Sequence, residues 1–154
     1  VVDVVVYLEW NIRDKGVRSV KKIVKLIIRG ASGYGPVDEA YNDKLTVDAS
    51  AISYELKPVI ESGTHPARKW SYKTNSLLYL ERFNQLCACL PAVIARIPGE
   101  AFCTDIGGID FTFTYEDGTK EKKNFWLPSS SFQDAFDIIK AMIPPCEETP
   151  AVLE

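Results

Sequence analysis

Ile109–Asp–Phe–Thr–Phe–Thr–Tyr115, then Glu116–Asp–Gly–Thr119, then a return stretch over residues 120–126, is the sequence that decides the fold. Ile109, Phe111, Phe113 and Tyr115 alternate with Asp110, Thr112 and Thr114. Successive side chains of a strand point to opposite faces, so this alternation describes a half-buried strand. Asp117–Gly118 supplies the residue pair that a tight hairpin turn requires. Two strands joined this closely are antiparallel. The stretch therefore fixes an antiparallel, globular α+β reading and is silent about chemistry.

The rest of the chain extends that reading in both directions. Residues 1–10 and 22–30 read as strands, and residues 31–36 as a loop. Residues 37–42 suit one helical turn, with Pro36 at its first position and Asp38 and Glu39 favoured by the helix dipole. Residues 45–48 and 52–57 come next as strands. Ile52, Tyr54 and Leu56 alternate with Ser53, Glu55 and Lys57, and Pro58 stops the run or places it at an edge. Residues 68–74 read as a further strand with Trp70 and Tyr72 on a core face. A helix begins near Asn75 or Ser76, either of which can cap it. Leu80, Phe83, Cys87, Leu90, Ile94 and Ile97 form its apolar stripe, and Pro91 is expected to kink or end it. The last helix starts with a capping-box pair, Ser130 and Gln133, and presents Phe132, Ala135, Phe136, Ile139, Met142 and Ile143. Pro144–Pro145 ends it. The expected architecture is α+β: a single antiparallel sheet of five to seven strands with two amphipathic helices packed on one face.

The 154 residues suit one domain, and 46% hydrophobic with 25% charged residues excludes wholesale disorder. A net charge of −3 supplies no long-range attraction to nucleic acid or to anionic membranes. The longest apolar runs, residues 4–8 and 23–28, fall far short of the ~20 residues of a membrane span. Residues 1–10 lack the basic start of a secretion signal and carry two acids, so the chain reads as cytoplasmic. The four cysteines, Cys87, Cys89, Cys103 and Cys146, lack the paired loop spacing of a zinc site. They read as free thiols acting as buried small hydrophobes.

Residues 1–19 differ in quality from the rest of the chain. Lys15–Gly16–Val17 can be encoded AAA GGA GTN, which contains the AAGGAG core of a bacterial ribosome-binding site, and Val20 can be a GTG start at a workable spacing. One reading makes residues 1–19 a leader-derived extension before a single domain over residues 20–154. The other makes them a genuine first strand and loop, whose apolar residues 1–8 then need a pairing partner.

Four groupings of residues bear on chemistry. Gly30–Ala–Ser–Gly33–Tyr–Gly35 comes directly after a strand, like a dinucleotide-binding turn, but its third glycine is mis-spaced, Pro36 is the next residue, and no long helix succeeds it. It reads as a tight loop, and no cofactor is assigned. Arg68–Lys–Trp–Ser–Tyr–Lys73 interleaves bases with aromatics, a pattern that can stack nucleobases, yet strand alternation with an ordinary core face accounts for it as well, so nucleic acid is disfavoured. His65, the one histidine, would have to serve any Cys–His or Ser–His pair; Cys103 and Asp105, near one another in sequence, could meet it in space. Nothing requires that meeting, and no catalytic residue or metal ligand is assigned. Asp38, Glu39, Asp43 and Asp48 read as a solvated acidic face.

Four stretches carry a resemblance. They are Arg29–Gly–Ala–Ser32 with Asp38–Glu–Ala–Tyr–Asn–Asp43, then Arg68–Lys–Trp–Ser–Tyr–Lys–Thr74, then Cys103–Thr–Asp–Ile–Gly–Gly108, and the tail from Ile143–Pro–Pro–Cys146 to Leu153. On them the chain resembles a family of small uncharacterised bacterial proteins with no assigned activity. The resemblance transfers no site residue. The leading functional expectation is a non-enzymatic protein-interaction module that self-associates as a homodimer or meets another protein partner. The alternative is a small-molecule binding protein or enzyme with a pocket near Ser32, Tyr34, His65 and Trp70. Ser32, Tyr34, His65, Arg68 and Trp70 are thus the candidate ligand or partner surface.

Overall fold

A computed structural model describes residues 21–61 and 63–154. The two readings of residues 1–19 lie outside the described residues. Six strands form one sheet: β1 (Ile23–Ala31), β2 (Tyr41–Asp48), β3 (Ala51–Pro58), β4 (Arg68–Lys73), β5 (Ile109–Tyr115) and β6 (Lys120–Phe125). Their spatial order is β4-β3-β2-β1-β5-β6, and every pairing is antiparallel. Two helices, α1 (Leu77–Ala95) and α2 (Gln133–Met142), pack on each other. The α+β architecture is that expected from the strand patterns.

The hairpin between β5 and β6 forms as its residues dictate. Gly118 takes φ +84°, Tyr115 N–H donates to Thr119 O at 2.9 Å, and Asp117 Oδ1 accepts from Thr119 N–H at 3.0 Å. Hydrogen bonds from the Thr119 hydroxyl, the Thr119 amide and Lys21, in that order, hold the exposed Asp117 carboxyl down to about 2. β1, one of the two central strands, is the longest among the described residues, at nine residues. A bulge between Ile23 and Lys25 turns Val24 partly outward and returns Ile23 to the core face.

The register aligns one apolar face across the strands. Leu26 and Ile28, Leu45 and Val47, Ile52, Tyr54 and Leu56, and Ile109, Phe111 and Phe113 are all buried. Phe111 sits at the centre of an aromatic cluster. Its ring centroid lies 5.0 Å from Phe132, 5.9 Å from Phe125 and 6.3 Å from Phe136. Such edge and tilted contacts contribute beyond the area they bury.

Tertiary contacts overrule several local expectations. Ser76 does cap α1, accepting from Tyr79 N–H at 3.4 Å. The buried stripe, however, is Tyr79, Phe83, Leu86, Leu90, Val93 and Ile94, and Leu80 faces out. Tyr79 decides the rotation: its hydroxyl reaches Ala51 O at 2.7 Å and Asp48 O at 2.9 Å beneath the β2–β3 turn. Pro91 does not end α1, which runs on to Ala95. A helix-interior proline costs about 3 kcal/mol, and the final turn offsets this by burying Val93 and Ile94.

The capping box at Ser130 and Gln133 is also absent. Ser129–Phe132 forms a 3-10 turn, Gln133 N–H is taken by Ser130 O, and Gln133 Nε2 donates to Asp137 at 2.6 Å instead. The helical turn expected over residues 37–42 is confined to Val37–Glu39, and Tyr41 already belongs to β2. Trp70 is only half-buried and Tyr72 is 43% exposed, because β4 is an edge strand with less of the core above it. No helix among the described residues is long and apolar enough to cross a membrane.

Candidate functional site

A cleft of about 230 Å³ opens where the ends of several elements meet on the core side of the sheet. Gly30, Ser32 and Gly33 contribute one wall, Tyr41 and Asp43 from β2 the floor, and Gly107 and Gly108 the run into β5. Ser129 and the C-terminal 3-10 turn (Ala151–Leu153), with Glu154, close the far side. Backbone proximity explains one glycine: a Cβ at Gly107 would stand 1.6 Å from Ala31 O. The loop after β1 is held by a reciprocal pair, Ser32 N–H to Tyr41 O at 3.0 Å and Tyr41 N–H to Ser32 Oγ at 3.1 Å.

Asp43 is the chemical centre of this cleft. It shares strand parity with Leu45 and Val47 and therefore points into the core, where it is 4% exposed. The expected solvated acidic face over Asp38, Glu39, Asp43 and Asp48 is corrected here: alternation buries Asp43 while Asp38 and Glu39 stay in water. Oδ2 accepts two bonds at 2.8 Å, from the Tyr54 hydroxyl and from Val152 N–H. Tyr54 Oη in turn accepts from Ala151 N–H at 3.1 Å. Oδ1 has no hydrogen-bond partner among the described residues.

Burial pushes the Asp43 carboxyl above its ordinary range, against the pull of Tyr54, Val152 and Arg68. The Gly30 amide adds the weakest downward pull but makes no hydrogen bond of normal geometry to Oδ1. Burial also raises the Tyr54 hydroxyl, to about 12, and the Tyr41 hydroxyl, with the neighbouring Asp43 charge acting in the same direction on both.

The five residues singled out from the sequence surround this centre unevenly. Ser32 lines the cleft. His65 meets the Tyr41 ring edge-on at 4.8 Å, one residue removed from the floor. The Arg68 guanidinium lies 5.3 Å from the Tyr54 ring centroid and pairs with Glu148. Trp70 is 6.0 Å from the same ring, and its Nε1 is buried without a hydrogen-bond partner. Tyr34 is 87% exposed and does not line the cleft. Asp43, Tyr54 and the tail amides were missed, although the shared parity of Asp43 with Leu45 and Val47 was a signal.

The glycine-rich stretch after β1 leads into a 3-10 turn and an antiparallel strand, so it has no helix N-terminus to offer a pyrophosphate. The cysteine expectation needs a correction. Cys87 and Cys89 are half-buried, but Cys103 and Cys146 are exposed, since both sit in loops beyond the helical core. The Cys87 thiol, pushed up to about 12 by burial, lies 3.9 Å from Ile23 O. Among the described residues, no three His, Cys, Asp or Glu side chains converge as a metal site would.

The opposite face of the sheet is the second functional candidate; its lysines and Arg29 are exposed, while Thr112 among them is buried. Its central row, by register, is Ser71, Ser53, Thr46, Ile27, Thr112 and Lys122. The flanking rows hold Lys69, Glu55, Lys44, Arg29 and Asp110 on one side, and Lys73, Asp48, Lys25, Thr114 and Lys120 on the other. With Lys57, eight basic side chains there face three acids, on a chain whose net charge is −3. No aromatic side chain belongs to these rows. Both edge strands carry lysines, Lys69 and Lys73 on β4 and Lys120, Lys122 and Lys123 on β6, which blunts edge-to-edge pairing.

Comparison of the chain with protein-family models, with curated proteins and with solved structures finds no match.

Proposed function

We propose that this chain is a non-enzymatic protein-interaction module whose open sheet face binds an acidic protein surface. The observation that carries this reading is the charge asymmetry. Eight basic and three acidic side chains occupy one face of a chain whose overall charge is −3. Complementary charge across an interface steers encounter and selects the partner. The rows themselves carry lysines, arginine and hydroxyls but no aromatic on which single-stranded nucleic acid stacks, the exposed Trp126 standing at their margin beside Gly108, so the reading commits to protein. Kinship with the small bacterial family and a cytoplasmic location belong to the same proposal. Self-association does too, and it would use a face rather than the lysine-bearing edges.

Poly-glutamate is the probe. Amide chemical shifts of Arg29, Lys44, Thr46 and Lys69 are expected to move on titration, with the effect fading as salt rises. A double charge reversal, Arg29→Glu with Lys44→Glu, is expected to remove the response while the fold is retained. Shifts confined to other surfaces, or a double variant that responds as the native chain does, would overturn the reading. A single-stranded oligonucleotide that binds more tightly than poly-glutamate at equal salt would also overturn it, in favour of nucleic acid. Light scattering at high concentration tests self-association, and a strict monomer removes that part. The second reading, a small-molecule site, is favoured by the unpartnered oxygen of Asp43.

A further inference from the structure

Among the described residues Asp43 Oδ1 has no hydrogen-bond donor, in a residue 96% buried (4% exposed) on the floor of a cleft. A buried polar atom left unpaired is costly, and native proteins rarely tolerate one without a reason. Oδ1 exposes less than 1 Å², so bulk water does not satisfy it. We propose that the cleft binds a small aliphatic ammonium compound whose –NH3⁺ donates to Asp43 Oδ1.

Charge selects the class. Among the described residues no lysine or arginine lines the cleft, and its second ionisable acid is Glu154. An anion would meet two carboxylates and no cation, whereas an ammonium would meet its complement. The nearest cation, Arg68, is held elsewhere: it pairs with Glu148, reaches Thr149 O at 3.5 Å and lies over the Tyr54 ring.

Shape selects the size. A volume of about 230 Å³ falls below the roughly 300–1,000 Å³ of sites for drug-sized molecules. Ile106, Ile109 and Leu127 offer apolar wall for a short alkyl chain. At Gly30 a Cβ would stand 2.5 Å from that oxygen and 2.8 Å from Val152 Cγ2, so the Val152 side chain must move aside for the ammonium to reach Oδ1.

Tyr54 and Val152 contribute positioning. Both donate to Oδ2, which fixes the carboxyl plane and leaves Oδ1 as the free acceptor. This site is separate from the open sheet face, so it stands or falls independently of the interaction reading.

The experiment titrates the full chain with n-propylammonium, with n-propanol as the neutral analogue of equal length and propionate as the anionic one. Localised amide shifts at Gly30, Ser32, Gly107 and Gly108 are expected with n-propylammonium alone. In Asp43→Asn the amide oxygen retains the two bonds at Oδ2 while the other atom becomes a donor. That variant is expected to bind n-propylammonium at least about tenfold more weakly, with an unchanged or higher melting temperature. Three results each overturn the proposal: no localised shift up to tens of millimolar, equal shifts with n-propanol, or equal binding by Asp43→Asn. Should the variant fail to fold, the ammonium–alcohol comparison on the native chain decides alone.

Discussion

The same six strands present two faces that obey opposite rules. Across the core face, Leu26, Val47, Ile52 and Phe113 lie in one row of the register, and all are buried. One residue along each strand, the neighbouring row is Ile27, Thr46, Ser53 and Thr112, with lysines and arginine on either side. Packing dictates the first face, where each side chain is judged by volume and by whether its polar atoms are satisfied. Solvation and charge dictate most of the second, where most substitutions cost little, although Thr112 there is buried. Asp43 is the exception, a carboxyl that obeys core parity. The contrast teaches that a residue obeying the geometry of one face and the chemistry of the other is where function is to be sought.

The sharpest way to test the contrast is to remove its centre. Phe111→Ala empties the space among Phe125, Phe132 and Phe136 and is expected to lower stability by ~3–5 kcal/mol. Denaturant melts check this, and a midpoint near that of the native chain would remove Phe111 from the core assignment. Next comes the polar exception's support. Tyr54→Phe takes away a donor to Asp43 Oδ2 and the acceptor of Ala151 N–H. Oδ2 then keeps only Val152 N–H and Ala151 N–H loses its acceptor, which is expected to cost ~1–3 kcal/mol, read by the same melts.

Asp43→Asn is expected to behave unlike either. Because burial raises the native carboxyl above its ordinary value of 3.8, the folded state binds that proton more tightly than the unfolded state does. The native chain's stability relative to the variant is therefore greatest below pH 3.8. It falls as pH rises through the raised folded value and is flat above it. The groups facing Asp43 are Tyr54, Tyr41 and Arg68, with Glu154 at the same cleft, so the window is read from the difference between variant and native chain. A difference independent of pH from the most acid folded condition to neutrality would show that the carboxyl is not desolvated. At the small end, Lys44→Glu with Arg29→Glu is expected to change stability by no more than ~0.5 kcal/mol per site, while binding to an acidic surface is lost. A large stability loss would mean that the open face is packed after all.

Much of the fold was legible because its signals are local. The alternation of residues 109–115 and of residues 52–57, the Asp117–Gly118 turn and the Ser76 cap each need only a few neighbouring residues to act. The candidate site was only half legible. Ser32 lines the cleft, and His65, Arg68 and Trp70 lie behind its tyrosines. Asp43 was grouped with its acidic neighbours in sequence, when its partners are Tyr54 on the next strand and Val152 in the tail.

Composition and periodicity by themselves determined the class: an antiparallel α+β domain with alternating strands and two amphipathic helices. The tertiary structure alone decided which face of α1 is buried, through the Tyr79 hydroxyl beneath the β2–β3 turn, and whether Pro91 ends that helix. It also decided that Asp43 would be desolvated, since the tail that covers it joins it across 109 residues of sequence. The physical reason is common to all three. Local patterns set what each segment prefers, but the energy that chooses between near-equal preferences comes from burial and hydrogen bonds between segments distant in sequence.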